Sequence, residues 1–327
     1  MTILITTSAG SLPRIGEGEP GQKLRRAFAR LDKRKGTRAE LIMAQEEATI
    51  DALSIQIEAG LELVTDGQIR WEDPVSHLLN ALPGTTIGPL ARFMDTNFYY
   101  RQPIIKENID HNSPILLEEF LFAQNLSVVP VKPVITGPYT LARLSINQSP
   151  CVFTKLVERL SCVIAQEVAD LSRAGAGVIQ IDEPAILLNP QDIEIQQAAI
   201  AEISRQKGSS ELALYTYFGD AASLYDKLQL FPVDILGMDF TYSPNLPDVI
   251  SASGTGKTLA LGLIDGRNTR LETESETLPL LDRLLSTYRM KKAYINPSCG
   301  LEFLPKMKAE AKLENMVRLR NRFIGDR

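Results

Sequence analysis

Short runs dense in aliphatic and β-branched residues alternate along the chain with longer stretches whose apolar positions recur every three to four residues. The short runs cover 3–8, 61–66, 131–136, 177–182, 212–217, 234–239, 259–264 and 293–297, and each reads as a strand. The clearest helical stretch is 37–60. There Thr37 and Glu40 form a capping-box signature, Gly60 supplies the stop, and Leu41, Ala44, Ala48, Ala52, Ile55 and Ala59 share one face. The spacing predicts further helices over 151–174, 190–206, 219–229, 272–289 and 304–323. Strands separated by helices pair in parallel through crossover connections, and eight of them can close on themselves. The predicted fold is therefore α/β, a TIM (β/α)8 barrel, with residues 1–327 forming a single domain.

Two segments break the rhythm. Residues 14–36 contain the basic stretch "KLRRAFARLDKRKG", which predicts an N-terminal helical extension with a solvated face. Residues 83–112 include "ARFMDTNFYYRQP", which predicts a β-hairpin turning at Asp95-Thr96-Asn97 and inserted after the second strand unit. Such a hairpin either packs on the barrel or covers its mouth, and the sequence leaves both readings open.

Composition narrows the function without naming it. With 44% hydrophobic and 23% charged residues, the 327-residue chain has enough apolar material for a large core. A net charge of −5 argues against nucleic-acid binding, which needs a basic surface to displace counterions. Three cysteines do not make a complete set of disulfides, and the N-terminus lacks the basic and apolar regions of a secretion signal. No apolar run is long enough to span a bilayer. A cytoplasmic protein acting on small molecules, with neither nucleic acid nor membrane as partner, is the expectation.

In a barrel of this kind the reactive groups belong at the C-terminal strand ends. Polar residues collect there: Ser11 after the first strand, Asp66 and Gln68 after the second, "TGPYT" after the third, and Asp182 and Glu183 after the fourth. "YTYFGD" ends the fifth, Asp239 the sixth, Asp265 and Arg267 follow the seventh, and "NPSCG" the eighth. Any one of these residues can be a helix cap or turn former; all eight strand ends together point to a site. By contrast "SASGTGKT" (251–258) is not a phosphate loop. Ser251 replaces its first Gly, and the stretch precedes a strand instead of joining a strand to a helix.

The motifs "TTSAGSLPR", "TDGQ", "TGPYT", "VIQIDEPA" and "NPSCGL", in this order, resemble the catalytic barrel of cobalamin-independent methionine synthase. That barrel belongs to a wider group with uroporphyrinogen decarboxylase and corrinoid-dependent methyltransferases. The resemblance covers essentially the whole chain. It implies the short core form, without the second barrel of full-length members, and a methyltransferase that methylates the thiol of homocysteine or a similar acceptor. The implied methyl donor is methylcobalamin, a methylated corrinoid protein or a methyl-folate.

In the family a zinc ion lowers the pKa of the acceptor thiol, because thiolate and not thiol is the nucleophile. The four ligand positions, carried onto this sequence, are Tyr215, Tyr217, Asp239 and Cys299. Tyrosine is a poor ligand near neutrality, and a zinc site needs at least three good protein donors. The expectation is therefore no metal; if one binds, Cys299 and Asp239 hold it. Ser11 and Asp182 match the family's amino-acid subsite, its Glu has become Gln68, and Glu183 lies beside Asp182. The His after the seventh strand appears as Arg267. Cys299, Asp239, Tyr215, Tyr217 and Arg267 are thus the expected catalytic residues, and Ser11, Gln68, Asp182 and Glu183 the substrate-binding ones. Two alternatives stay open: a decarboxylase-like lyase or methyltransferase for another acceptor, with Arg14, Arg70 and Arg267 pairing a carboxylate; and a metal-free paralogue without activity.

Overall fold

The computed structural model describes residues 2–16, 18–287 and 291–325. Seven parallel strands form the central sheet: β1 (Ile3–Thr6), β4 (Val134–Thr136), β6 (Val178–Asp182), β7 (Glu211–Thr216), β8 (Ile235–Asp239), β9 (Thr258–Ile264) and β10 (Lys292–Pro297). Their spatial order is β1-β10-β9-β8-β7-β6-β4. In β6 and β8 every residue is buried, as expected for strands covered on both faces.

The second predicted strand is reduced to two bridges, Thr7 with Leu63 and Val64 with Val131, which join the two edges of the sheet and complete the ring. The reason lies in Gln56, fully buried on the helix Arg38–Glu58. Its amide donates to Thr65 O (2.8 Å) and accepts from Thr65 N (3.0 Å), so residue 65 leaves the ladder. Pro130 and Pro133 shorten the neighbouring strand for a different reason, having no N–H to give to a ladder.

Inside the ring, Leu63, Val178, Ala213, Tyr215, Ile235, Ala260 and Tyr294 form the lower plug, with Ile5 packed against it. The outer faces of the strands pack on the helices in one large core. The capping box is present, with Thr37 Oγ1 accepting from Glu40 N and Glu40 accepting from Thr37 N, and Gly60 follows with φ +91°. Other predicted helices appear as Phe153–Arg173, Ile193–Ser204, Glu274–Thr287 and Lys306–Gly325, each within a few residues of expectation. The 219–229 stretch yields only a short helix, Tyr225–Leu228, preceded by one tighter turn.

Strands β2 (Thr85–Arg92) and β3 (Tyr99–Ile105) pair antiparallel, and β5 (Ile146–Asn147) adds to β3 in parallel. The basic stretch forms the helix Glu19–Asp32, largely exposed and packed on Arg38–Glu58. No helix among the described residues is long and apolar enough to cross a membrane.

Candidate active site

The strands deliver their polar residues to one rim. Ser11, Gln68, Asp182, Tyr217 and Glu302, from five separate parts of the chain, line a single small pocket with Phe93 and Phe303 as apolar walls. Gln68 takes a left-handed backbone (φ +51°), unusual for a non-glycine residue and favoured by an Asx turn in which Asp66 Oδ1 accepts from Gln68 N (3.0 Å). Ser11 Oγ donates to Glu302 Oε2.

Asp182 is the best-connected of these groups. Its Oδ1 accepts from Gln180 Nε2 (2.6 Å) and its Oδ2 from the Tyr217 hydroxyl (3.1 Å). Gln180 in turn accepts from Lys132 Nζ (2.6 Å), which also donates to Ser8 O (2.9 Å) and sits over the Tyr215 ring. Burial holds the Asp182 carboxyl up at about 7 against the opposing pull of Gln180 and Tyr217, and lowers the Lys132 ammonium to about 7. The Glu302 carboxyl is also raised by burial, with Ser11 and Arg14 acting against the rise.

Three expected site residues lie elsewhere. Glu183 is fully buried and faces the start of the helix Pro138–Arg143, where it accepts from Tyr139 N (2.9 Å), Thr140 N (2.8 Å) and Thr140 Oγ1 (2.6 Å). Gly137 is needed there because a Cβ would collide with the Glu183 carboxylate. Glu183 therefore fastens a turn and does not line the rim pocket. Tyr215 points down into the plug, packed over Gly237, and does not reach the rim. Arg267 is engaged with the hairpin turn: it donates to Asp95 O (3.0 Å) and to the Tyr242 hydroxyl, and its guanidinium stacks over Phe218 and Tyr242. Arg14 is spent on Trp71 O and Glu72 O, and Arg70 pairs with Glu118 and Glu46.

Arg267 and a set of rings lay the hairpin turn over the pocket. Phe98 meets Phe303 edge-on (5.7 Å between centroids), Phe303 meets Phe218 (5.6 Å), and Phe218 meets Phe93 (6.2 Å). Edge-on aromatic contacts of this kind add to the stabilisation from burial.

Cys299 and Asp239 lie deeper under the rim. The Cys299 thiol is fully buried, in contact with Gly300 O (3.4 Å), and burial together with Glu302 and Asp239 raises its pKa well above the ordinary thiol range. Asp239 Oδ1 accepts from Thr241 N, Thr241 Oγ1 and Tyr242 N, while its buried Oδ2 makes no hydrogen bond; burial raises the carboxyl to about 6. This pair offers two zinc donors, and Tyr217 is committed to Asp182. Among the described residues the one group of three close His, Cys or carboxylate donors is His111, Glu167 and Asp170, none of which lines the rim pocket. Glu167 there already accepts from Ile115 N and Leu116 N, so it holds a loop. The donor set at the rim does not fit the tetrahedral zinc site of at least three protein ligands.

Sequence reasoning overlooked two residues of the site. Glu302 stands just past the quoted "NPSCGL" motif, and Lys132 is a lysine within an apolar strand run, itself a signal of a buried charge. A separate cavity of about 440 Å³, bordered by Arg70, His77, Glu118 and Glu119, includes none of the rim groups; there Arg70 pairs with Glu118, and His77 Nε2 lies 3.0 Å from Glu119.

Comparison with known proteins places this geometry. Residues 4–321 match the model of the cobalamin-independent synthase catalytic domain. The methionine synthase of Sulfurisphaera tokodaii is 32% identical over 323 residues, 97% of this chain and 92% of that protein. The methionine synthase of Saccharolobus solfataricus is 30% identical over 97% of this chain and 94% of its own length. In fold, the chain is similar to a B12-independent methionine synthase from Shewanella (TM-score 0.80, 22% identity, 99% of both chains) and to a Listeria monocytogenes structure described as a vitamin-B12 independent methionine synthase (TM-score 0.77, 17% identity, 98% of both).

Proposed function

The chain belongs to the family of the cobalamin-independent synthase catalytic domain, and from that membership we propose that it methylates the thiol of homocysteine, or of a close amino-thiol, at the rim pocket without the family's zinc. The observation that carries the reading is the convergence of Ser11, Gln68, Asp182 and Tyr217 on one pocket, beside a buried carboxylate with a free oxygen.

In this reading Ser11, Gln68 and Asp182 hold the amino-acid end and Tyr217 fixes Asp182. The thiol points toward Cys299 and Asp239. Its proton passes to Asp239 Oδ2, the oxygen without a hydrogen bond, as sulfur attacks the methyl carbon. The S–CH3 bond forms while the donor–CH3 bond breaks, and the electron pair of the broken bond stays with the donor. A carboxyl held near 6 by burial suits this work, since a base is most effective when its pKa lies near the working pH. Arg267 and the ring cluster close the hairpin over the reactants and exclude water.

The enzyme works on a small-molecule acceptor in the cytoplasm, and a methylated corrinoid or a methyl-folate supplies the methyl group. The test is methionine formation from homocysteine with methylcobalamin and, separately, methyl-tetrahydrofolate, on protein purified without chelator and analysed for metal. Methionine with at least one donor, no stoichiometric zinc, and a loss of about 10²-fold in Asp239→Asn are expected. Stoichiometric zinc with chelator-sensitive activity would overturn the metal-free mechanism, and no methionine from either donor would overturn the acceptor.

A further inference from the structure

The pocket at the rim is lined by two carboxylates and by no lysine or arginine. Asp182 and Glu302 face it from different strand ends, with Phe93, Tyr217 and Phe303 as its aromatic walls. Glu302 interacts electrostatically with Asp182, Tyr217 and Cys299, so it stands in the middle of the site. Its nearest countercharge is Arg14, whose guanidinium donates to two backbone carbonyls.

Gln68 supplies an independent sign of a missing ligand. Its side chain is nine-tenths buried and lines the same pocket, yet its amide makes no hydrogen bond to any described residue. That amide opens onto the pocket, so its oxygen and nitrogen are available to whatever enters it. Gly300 adds a third constraint, since a Cβ there would collide with both Ser11 Oγ and Glu302 Oε2. The backbone is thus kept bare where the Glu302 carboxylate packs against the pocket floor.

Two carboxylates, an idle amide and aromatic walls suit a compact cation with several N–H donors. Two negative groups forced together in a desolvated site are relieved by a positive ligand, and charge-assisted hydrogen bonds are about twice as strong as neutral ones. We propose that Glu302 is a specificity-determining residue of this site: with Asp182 and the Gln68 side-chain oxygen, it holds the primary ammonium of the acceptor. Glu302 then supplies the negative charge that a neutral amide at position 68 does not. The inference deepens the function proposed above and rests on the acceptor being an amino acid.

Binding rather than turnover tests it, so that the two proposals fail separately. Titration calorimetry with L-methionine, 4-(methylthio)butanoate (no ammonium) and 3-(methylthio)propylamine (no carboxylate) is run on the wild type, Glu302→Gln, and the double variant Gln68→Glu/Glu302→Gln. The wild type is expected to bind methionine and the amine, and the butanoate at least about tenfold more weakly. Glu302→Gln is expected to lose at least about tenfold for both ammonium ligands with the butanoate unchanged, and the double variant to recover most of that loss. Unchanged butanoate binding also shows that the single variant is folded. Methionine and amine affinities within about twofold of wild type in Glu302→Gln would overturn the inference. If the amine binds in a Glu302-dependent way and methionine does not, the amino-acid acceptor is wrong and the ammonium site stands. If the wild type binds neither ammonium ligand, the ammonium site falls too.

Discussion

Asp182 and Glu183 are neighbours in sequence, and burial lifts both carboxyls to about 7, yet their surroundings divide their roles. Asp182 lines the pocket, while Glu183 spends both oxygens on the first turn of the helix Pro138–Arg143. Glu183→Ala is therefore a stability variant. It leaves two backbone donors unpaired, and chemical denaturation should show a loss of about 1–3 kcal/mol. A pocket role instead would lower methionine affinity with stability unchanged. A second prediction at this scale concerns the thiols. Cys162 is exposed, whereas Cys299 is fully buried and held protonated by its surroundings. Iodoacetamide labelling of the native protein followed by peptide mass analysis should modify Cys162 and spare Cys299 until the protein unfolds. Fast labelling of Cys299 at neutral pH would mean a thiolate there, and the description of a packed, neutral thiol would be wrong.

The turn of the hairpin β2–β3 is held over the pocket by Arg267 on Asp95 O and by the rings of Phe93, Phe98 and Phe303. Arg267→Ala removes a cation stacked between two rings as well as a hydrogen bond. Hydrogen exchange over residues 93–98 should quicken by about tenfold or more, while the barrel strands keep their protection. Unchanged exchange there would show that the rings alone hold the turn. Elements of this kind differ in how far they could be read beforehand. The helix Arg38–Glu58 was legible because its cap, stop and apolar face are local patterns. The 61–66 strand was not, because its pairing is interrupted by the Gln56 amide from the preceding helix. Arg267 likewise had a visible place after the seventh strand but an invisible partner, 172 residues away on the hairpin turn. Sequence spacing fixes which positions face inward; it does not say which distant groups meet there. Glu302 and Lys132 escaped notice for that same reason.

Over the whole molecule, the barrel buries an unusual set of ionisable groups, and together they set how stability varies with pH. Burial raises Asp66 and Asp239 to about 6 and Asp182 and Glu183 to about 7, all above their values in the unfolded chain. Between about pH 4 and pH 7 the folded protein thus keeps protons that the unfolded chain has already released, and stability falls as pH rises through that window. Lys132 acts in the opposite sense and at higher pH. Its folded value of about 7 lies below the ordinary lysine value, so from about pH 7 to about pH 10 the unfolded chain holds the extra proton and stability rises with pH. Glu276, held at about 2 by Thr273 and Arg270, matters only in stronger acid. The melting temperature at constant ionic strength should therefore be higher at pH 5.5 than at pH 7.5 and turn upward again toward pH 9. Lys132→Met should flatten the alkaline limb, since it removes the one group of this set that titrates in that sense. A melting temperature that stays level or climbs from pH 5.5 to 7.5 would mean these carboxyls ionise in the folded barrel at least as easily as in water. That would remove the physical basis for a proton acceptor at Asp239 tuned close to neutral pH.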